Sequence, residues 1–308
     1  DITIRNTRIA FIRNGVIEEA HGEPAALERD DSFAPNGGVL GGDELRSVLA
    51  ERQSRIESIR LTADHFLVTN GSSGAIDLIC DAFLTPGDVV LAENPAFAGT
   101  LRTIRGHLCE VVGVPIGDGT GFAARVGETL ERLAAEGRRA KLLYTVPDFS
   151  NPTGLVMSTD ERRALLEVCA RHQVFVVEDA AYTEVYFDAP PPPSLYALAE
   201  GFGVLRCGSF SKVIATGLRV GWVQAQPGLI EALSRVRFDM GGSPLVHRAL
   251  AEYVGSGKVE PHAAHMRSLY AEKCAALAAS LEEHCTPYLR FERPAGGYFL
   301  WAECQGAP

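Results

Sequence analysis

The chain has 308 residues, 46% of them hydrophobic, enough for a sizeable core and for one large domain with a smaller one beside it. With 29 Lys+Arg against 39 Asp+Glu, its net charge of −10 argues against nucleic acid or an anionic membrane as the main partner, while leaving room for a local site that holds a small anion. Seven cysteines, none spaced as CxxC, give no disulfide framework and suit small buried hydrophobes in a reducing compartment; with no membrane-length apolar run and no signal-peptide pattern, a cytoplasmic protein is expected.

From about residue 43 helical and strand patterns alternate. Residues 43–56 read as a helix, 65–70 as a strand, and 71–84 as a helix opened by small polar residues. A Pro-Gly-Asp turn leads to a strand over 88–93, a helix over 95–106 and a strand over 108–116. A helix over 127–139, a strand over 140–147, a helix over 159–172 and a strand over 174–180 follow. Two more strands are expected over 203–211 and 219–225, after the short stiff loop Pro190–Pro193. Short, continuously apolar strands between helices indicate an α/β fold with a mostly parallel sheet sandwiched by helices. From about residue 228 the chain turns mainly helical, with helices over 244–257 and 262–285 and a strand pair within 288–304. The expected organisation is an N-terminal segment over 1–42, a large ligand-binding domain over 43–227 and a smaller α+β C-terminal domain over 228–308.

Four constellations fall at or just after strand ends, where open α/β sheets bind ligands. Thr69-Asn70-Gly71-Ser72-Ser73-Gly74 joins a strand to a helix, and a helix start with free N–H groups suits a phosphate, although serine is also a plain N-cap. Ser150-Asn151-Pro152-Thr153-Gly154 reads as a turn whose Asn151 amide could donate to a ligand oxygen. Glu178-Asp179-Ala180-Ala181-Tyr182 closes an apolar strand; a carboxylate there needs a partner, either a ligand cation or a helix start. Gly208-Ser209-Phe210-Ser211-Lys212, followed by Gly217-Leu218-Arg219-Val220-Gly221-Trp222, sets a lysine in a Gly/Ser-rich loop, where a desolvated amine near other cations is a usable nucleophile.

These motifs, in this order, resemble the fold-type I enzymes that use pyridoxal 5'-phosphate (PLP). The resemblance is closest to the class I/II aminotransferase branch holding the 2-aminoadipate and kynurenine aminotransferases and the aminotransferase-like domains of MocR regulators, and it runs from about residue 33 to 303. It implies the PLP-dependent transferase fold, with a seven-stranded type of sheet, and a cytoplasmic homodimer acting on an amino-acid or 2-oxo-acid substrate. It implies that Lys212 carries PLP as a Schiff base and serves as general base. Asp179 pairs with the ring nitrogen, Asn151 and Tyr182 bond the ring oxygen, and Phe97 of Asn94-Pro95-Ala96-Phe97 stacks on the ring. Ser72, Ser73, Ser209 and Arg219 hold the phosphate, and Gly71 and Ser211 complete the cofactor-binding set. Lys212, Asp179 and Tyr182 are the expected catalytic set, and no metal is expected.

Departures from the family are local until the end of the chain. Phe33 stands where a tyrosine usually reaches across the dimer to the neighbour's phosphate, and Thr216 replaces a usual proline. The family continues for several elements beyond Trp301, so the sequence is expected to be a fragment with an incomplete small domain. The arginine that grips the substrate α-carboxylate is then expected beyond Pro308. The segment Arg13–Ile17 is expected near the mouth of the site. No strand precedes Gly37–Gly42, so it reads as a plain loop rather than a dinucleotide loop. His262 and His265 lack a third ligand and read as a surface or interface pair. Two other activities stay open: a PLP lyase or β/γ-replacement enzyme, and a non-catalytic PLP-binding sensor of the MocR kind. The segment before residue 33 is neither long nor basic enough for the winged-helix domain of such a regulator.

Overall fold

Short apolar runs bounded by turns become the strands of a single large sheet, and the amphipathic stretches between them become its covering helices. The computed structural model describes residues 38–117, 120–239 and 241–306, together with two-residue strand pieces at Thr3–Ile4, Thr7–Arg8, Ile12–Arg13 and Val16–Ile17. In chain order the main elements are α1 (Asp43–Glu57), β1 (Phe66–Thr69), α2 (Gly71–Phe83), β2 (Val89–Asn94), α3 (Ala98–Gly106), β3 (Glu110–Pro115), α4 (Phe122–Ala135), β4 (Ala140–Thr145), α5 (Thr159–Arg171) and β5 (Phe175–Asp179). Then come α6 (Leu195–Leu198), β6 (Val204–Ser209), β7 (Gly221–Gln224), α7 (Pro227–Val236), α8 (Pro244–Gly255), α9 (Val259–Cys285), β8 (Leu289–Phe291) and β9 (Ala302–Cys304).

The seven-stranded sheet runs in the order β1-β7-β6-β5-β4-β2-β3. Strand β7 is antiparallel to both its neighbours and every other pairing is parallel, so the remaining six strands share one direction. Alternation along the strands sorts side chains onto two faces. On one face Phe66, Leu91, Leu143, Val176 and Trp222 pack with Leu49 of α1, Val126 of α4, Leu165 of α5 and Leu250 of α8. On the other, Leu67, Val90, Tyr144, Val177 and Val223 pack with Ile76 and Ile79 of α2, Ile104 of α3 and Leu233 of α7. Each fully buried Leu, Ile, Val or Phe contributes about 1.5–3 kcal/mol relative to exposure. Trp222 is the largest of the fully buried side chains among the described residues, and its ring lies 4.9 Å from that of Phe210, tilted by 58°. It leaves no room across the β6–β7 pair: a Cβ on Gly208 would lie 2.1 Å from the indole.

The expected α/β architecture and mostly parallel sheet are those observed. Helix α4 starts at Phe122 rather than near 127, because Phe122, Ala123 and Val126 form its buried stripe, and it ends before Gly137, whose φ is +71°. Helix α7 is a separate element with Pro227 in its first turn. The C-terminal strand pair is β8 with β9, antiparallel, Leu289 opposite Cys304.

Candidate active site

The co-directional strands end on one edge, and the loops leaving five of them line a cleft holding about 120 Å³ of space. One wall is the β1–α2 turn. Helix α2 begins at Gly71, with φ +72°, and Ser72 and Ser73 occupy its first turn. No side chain caps that turn and no acidic residue stands in it, so its N–H groups and positive dipole end remain for an anion. The Arg219 guanidinium lies over the turn: a Cβ on Gly71 would sit 2.6 Å from Nη2. Strand β7 approaches as closely from beneath, since a Cβ on Gly221 would lie 2.6 Å from the Ser72 amide nitrogen. Glycine at these two places is what lets arginine, helix start and sheet converge. At the end of β6, the Ser209 and Ser211 hydroxyls are 2.9 Å apart, and the Ser211 N–H donates to Ser209 Oγ at 3.1 Å. Hydroxyls, a guanidinium fork and a helix start together make a site for a phosphate-like group.

A buried acid faces the same cleft. Asp179 Oδ2 accepts from the Tyr144 hydroxyl at 2.9 Å and Oδ1 from the Ala181 N–H at 3.2 Å. Burial pushes the Asp179 carboxyl above its ordinary range, while the Tyr144 bond, the Ala181 N–H and the charge of Lys212 pull it back. Burial also pushes the Tyr144 phenol up, so it stays a donor to Asp179. Asn151 Nδ2 donates to the Tyr182 hydroxyl at 3.4 Å, and burial raises the Tyr182 phenol to about 12. Lys212 is half-buried, its Nζ 5.9 Å from the Tyr182 ring centre. Phe97 stands at the start of α3, 41% exposed, with its ring on the cleft.

Ser72, Ser73, Phe97, Asn151, Asp179, Tyr182, Ser209, Ser211, Lys212 and Arg219 thus line one cleft, with Gly71 directly under Arg219. Phe33 and the side chains of Arg13–Ile17 lie outside the described residues. Among the described residues no group of three His, Cys, Asp or Glu could hold a metal ion. Tyr144 and Glu93 were not singled out from sequence. Tyr144 sits within an apolar strand and reads as core. Glu93 closes β2, is 1% exposed, and accepts from the Thr145 hydroxyl at 2.5 Å, the Val146 N–H at 2.8 Å and the Ser150 hydroxyl at 2.9 Å. It thereby fixes the loop that presents Asn151. A lone acid at the end of an apolar strand, the same signal that marked Asp179, was there to find it.

The family model for class I and II aminotransferases matches residues 17–307. Over 268 residues the chain is 31% identical to aromatic-amino-acid aminotransferase 1 of Thermococcus litoralis, covering 86% of this chain and 64% of that protein. Over 273 residues it is 33% identical to YjiR, an uncharacterized HTH-type transcriptional regulator of Escherichia coli, covering 86% of this chain and 57% of the regulator. The crystal structure of Pyrococcus horikoshii kynurenine aminotransferase, in complex with PMP, superposes with a TM-score of 0.82 at 30% identity, covering 89% of this chain and 68% of that one. The chain belongs to the class I and II aminotransferases. It spans less than two thirds of the length of the two curated relatives.

Proposed function

We propose that the protein is a PLP-dependent aminotransferase that moves an amino group between an α-amino acid and a 2-oxo acid. The observation that carries this reading is one cleft that holds Lys212, the buried Asp179 and the arginine-covered start of α2. The residues suit the cofactor group by group. Its phosphate is matched by the start of α2, by Ser72, Ser73, Ser209 and Ser211, and by Arg219. Asn151 and Tyr182 match its ring oxygen, Phe97 its ring face and Lys212 its aldehyde. Asp179 is the most telling: a carboxyl that burial pushes toward neutrality gains most from a cation beside it, and a protonated ring nitrogen is such a cation.

When bound, the cofactor supplies an aldehyde that captures amines and a ring that takes up electron density from the substrate Cα. The chain supplies the rest. With the cofactor bound, Lys212 would hold it through Nζ and, as a free amine, would take the proton from the substrate Cα. Asp179 would keep the cofactor's ring nitrogen protonated, and Tyr144 holds Asp179 in place. Asn151 and Tyr182 would bond the cofactor's ring oxygen, while the serines and Arg219 would hold its phosphate.

The names of the relatives support this reading, one being an aromatic-amino-acid aminotransferase and another a kynurenine aminotransferase. We place the protein in the cytoplasm as a homodimer. A cysteine pattern with no CxxC spacing supports the first, and the exposed Phe238 and Leu245, at 91% and 79%, offer apolar surface to a second copy. No described helix is long and apolar enough to cross a membrane. A domain boundary near residue 227 fits the end of the large sheet at Gln224.

A second reading, a PLP-binding sensor, is favoured by the likeness to the regulator YjiR. Incubating the whole protein with a pool of amino acids and no oxo-acid acceptor, and following both by mass spectrometry, separates the readings. Stoichiometric conversion of bound PLP to pyridoxamine phosphate, then arrest, is the expected result. Continued consumption of amino acids with PLP intact means elimination or replacement. Bound PLP with no change in either marks a sensor.

A further inference from the structure

Two tyrosines from the C-terminal third meet Lys212 without belonging to the motifs around it. Gly296 and Gly297 press their segment onto the loop after β4. A Cβ on Gly296 would lie 2.5 Å from the Phe149 ring, and one on Gly297, where φ is +78°, 2.7 Å from Phe149 Cβ. Backbone bonds close the contact: the Gly297 N–H donates to the Val185 carbonyl at 2.7 Å, and the Phe187 N–H to the Ala295 carbonyl at 2.9 Å. This delivers Tyr298 to the lysine. Its hydroxyl lies 3.0 Å from the Lys212 carbonyl oxygen and 2.6 Å from the Tyr270 hydroxyl on α9. A carbonyl oxygen only accepts, so Tyr298 donates to Lys212 and its own oxygen receives the Tyr270 proton. The Tyr298 ring centre is 5.2 Å from Lys212 Nζ, with the Tyr182 ring on the amine as well, at 5.9 Å.

We infer that Tyr298 is a positioning residue for Lys212, holding its backbone through the hydroxyl and its amine through the ring, with Tyr270 fixing the Tyr298 hydroxyl. The inference rests on Lys212 being the cofactor-bearing amine. A lysine that must bond the cofactor at one moment and carry a proton at the next has to return to one place, and misplacement by a fraction of an ångström is costly in rate. The two ring faces attract a charged amine and so give it a fixed place to return to.

Tyr298→Phe keeps the ring and removes the hydroxyl, while Tyr270→Phe leaves the bond to Lys212 and removes only the proton that Tyr298 receives. In the whole protein three quantities are to be read. They are the rate at which apoprotein takes up PLP covalently, the pH midpoint of the bound cofactor's absorbance, and the rate of the half-reaction with an amino acid. Tyr298→Phe should slow uptake and half-reaction about tenfold, the worth of one hydrogen bond, and should shift the absorbance midpoint. Tyr270→Phe should slow both about threefold, with KM for the amino acid little changed in either variant. A purely structural role would lower the melting temperature and leave the midpoint in place. If Tyr298→Phe folds poorly, the midpoint in Tyr270→Phe decides. A wild type that loads at Lys212 and variants that match it in uptake and midpoint overturn this inference alone. A wild type that forms no covalent bond at Lys212 overturns the reading beneath it as well.

Discussion

Glu178 and Asp179 are neighbours at the end of β5, both buried, and they point to opposite faces of the sheet. Glu178 turns toward α1 and α6. It accepts from the Leu195 and Tyr196 N–H groups at 3.2 and 3.0 Å and lies 3.7 Å from Arg206, whose guanidinium is 3.2 Å from Glu57. Asp179 turns toward α2 and α3, is held by one phenol and one N–H, and keeps a side open to the cleft. Burial pushes both carboxyls up, Glu178 to about 7. What separates them is the company they keep. The protein closes the shell of Glu178 with its own donors and cations, and leaves one place beside Asp179 to be filled. Burial of an acid therefore does not mark function by itself; a buried acid with an open side does.

The sharpest way to break this comparison is on the cleft side. Lys212→Ala should abolish covalent loading and lower turnover about 10⁴-fold, with the fold intact. A variant that kept the cofactor's colour through a covalent bond would sink the proposed function. The matched pair Asp179→Asn and Glu178→Gln tests the two faces directly. Asp179→Asn should lower kcat about 10²- to 10³-fold while the denaturation midpoint holds or rises. At pH 8, above the value near 7 to which burial raises Glu178, Glu178→Gln should do the reverse, costing about 3 kcal/mol in urea titrations by leaving Arg206 with Glu57 alone, with turnover per folded molecule unchanged. If both variants lose activity alike, the two faces are not distinct in role. Arg219→Gln should weaken cofactor retention about 30-fold, read by dialysis or fluorescence, because a charge-assisted fork is exchanged for a neutral amide.

The cleft residues were legible because each stands in a short run that a strand or helix pattern cannot explain. Gly71–Ser73, Asn151, Asp179 and Lys212 all interrupt apolar periodicity at a strand end. The sheet was legible from its apolar runs, but its order was not, since pairing of β7 between β1 and β6 depends on contacts distant in sequence. For the same reason Tyr144 stayed hidden. It looks like core until β4 pairs with β5 and brings its hydroxyl to Asp179. Tyr298 is a similar case, since PAGGYFLW reads as a strand until Gly296 and Gly297 dock on Phe149. Helix α4 begins five residues before the expected 127 and carries Gly127, a poor helix former, in its interior, where a Cβ would lie 3.6 Å from Val168 of α5.

Glu93 offers the finest test of the comparison. It shares its face of the sheet with Glu178 but has no arginine, only the Thr145 and Ser150 hydroxyls and the Val146 N–H. Burial, the largest influence, raises its carboxyl from 4.5 to about 7, with the three donors pulling the other way. The folded protein then keeps this proton up to about pH 7, whereas the unfolded chain releases it near 4.5. Between those values the folded state binds more protons, so the group's contribution is full below pH 4.5 and is lost as pH rises through 7. Glu93→Gln removes that dependence, worth at most about 1.4 kcal/mol per pH unit. Urea midpoints across pH 5, 6 and 7 should show the wild type losing stability relative to the variant as pH rises. A difference that stays constant would mean that the three donors outweigh burial and keep Glu93 ionised. Its shell would then be closed by hydrogen bonds alone, where that of Glu178 includes Arg206 as well.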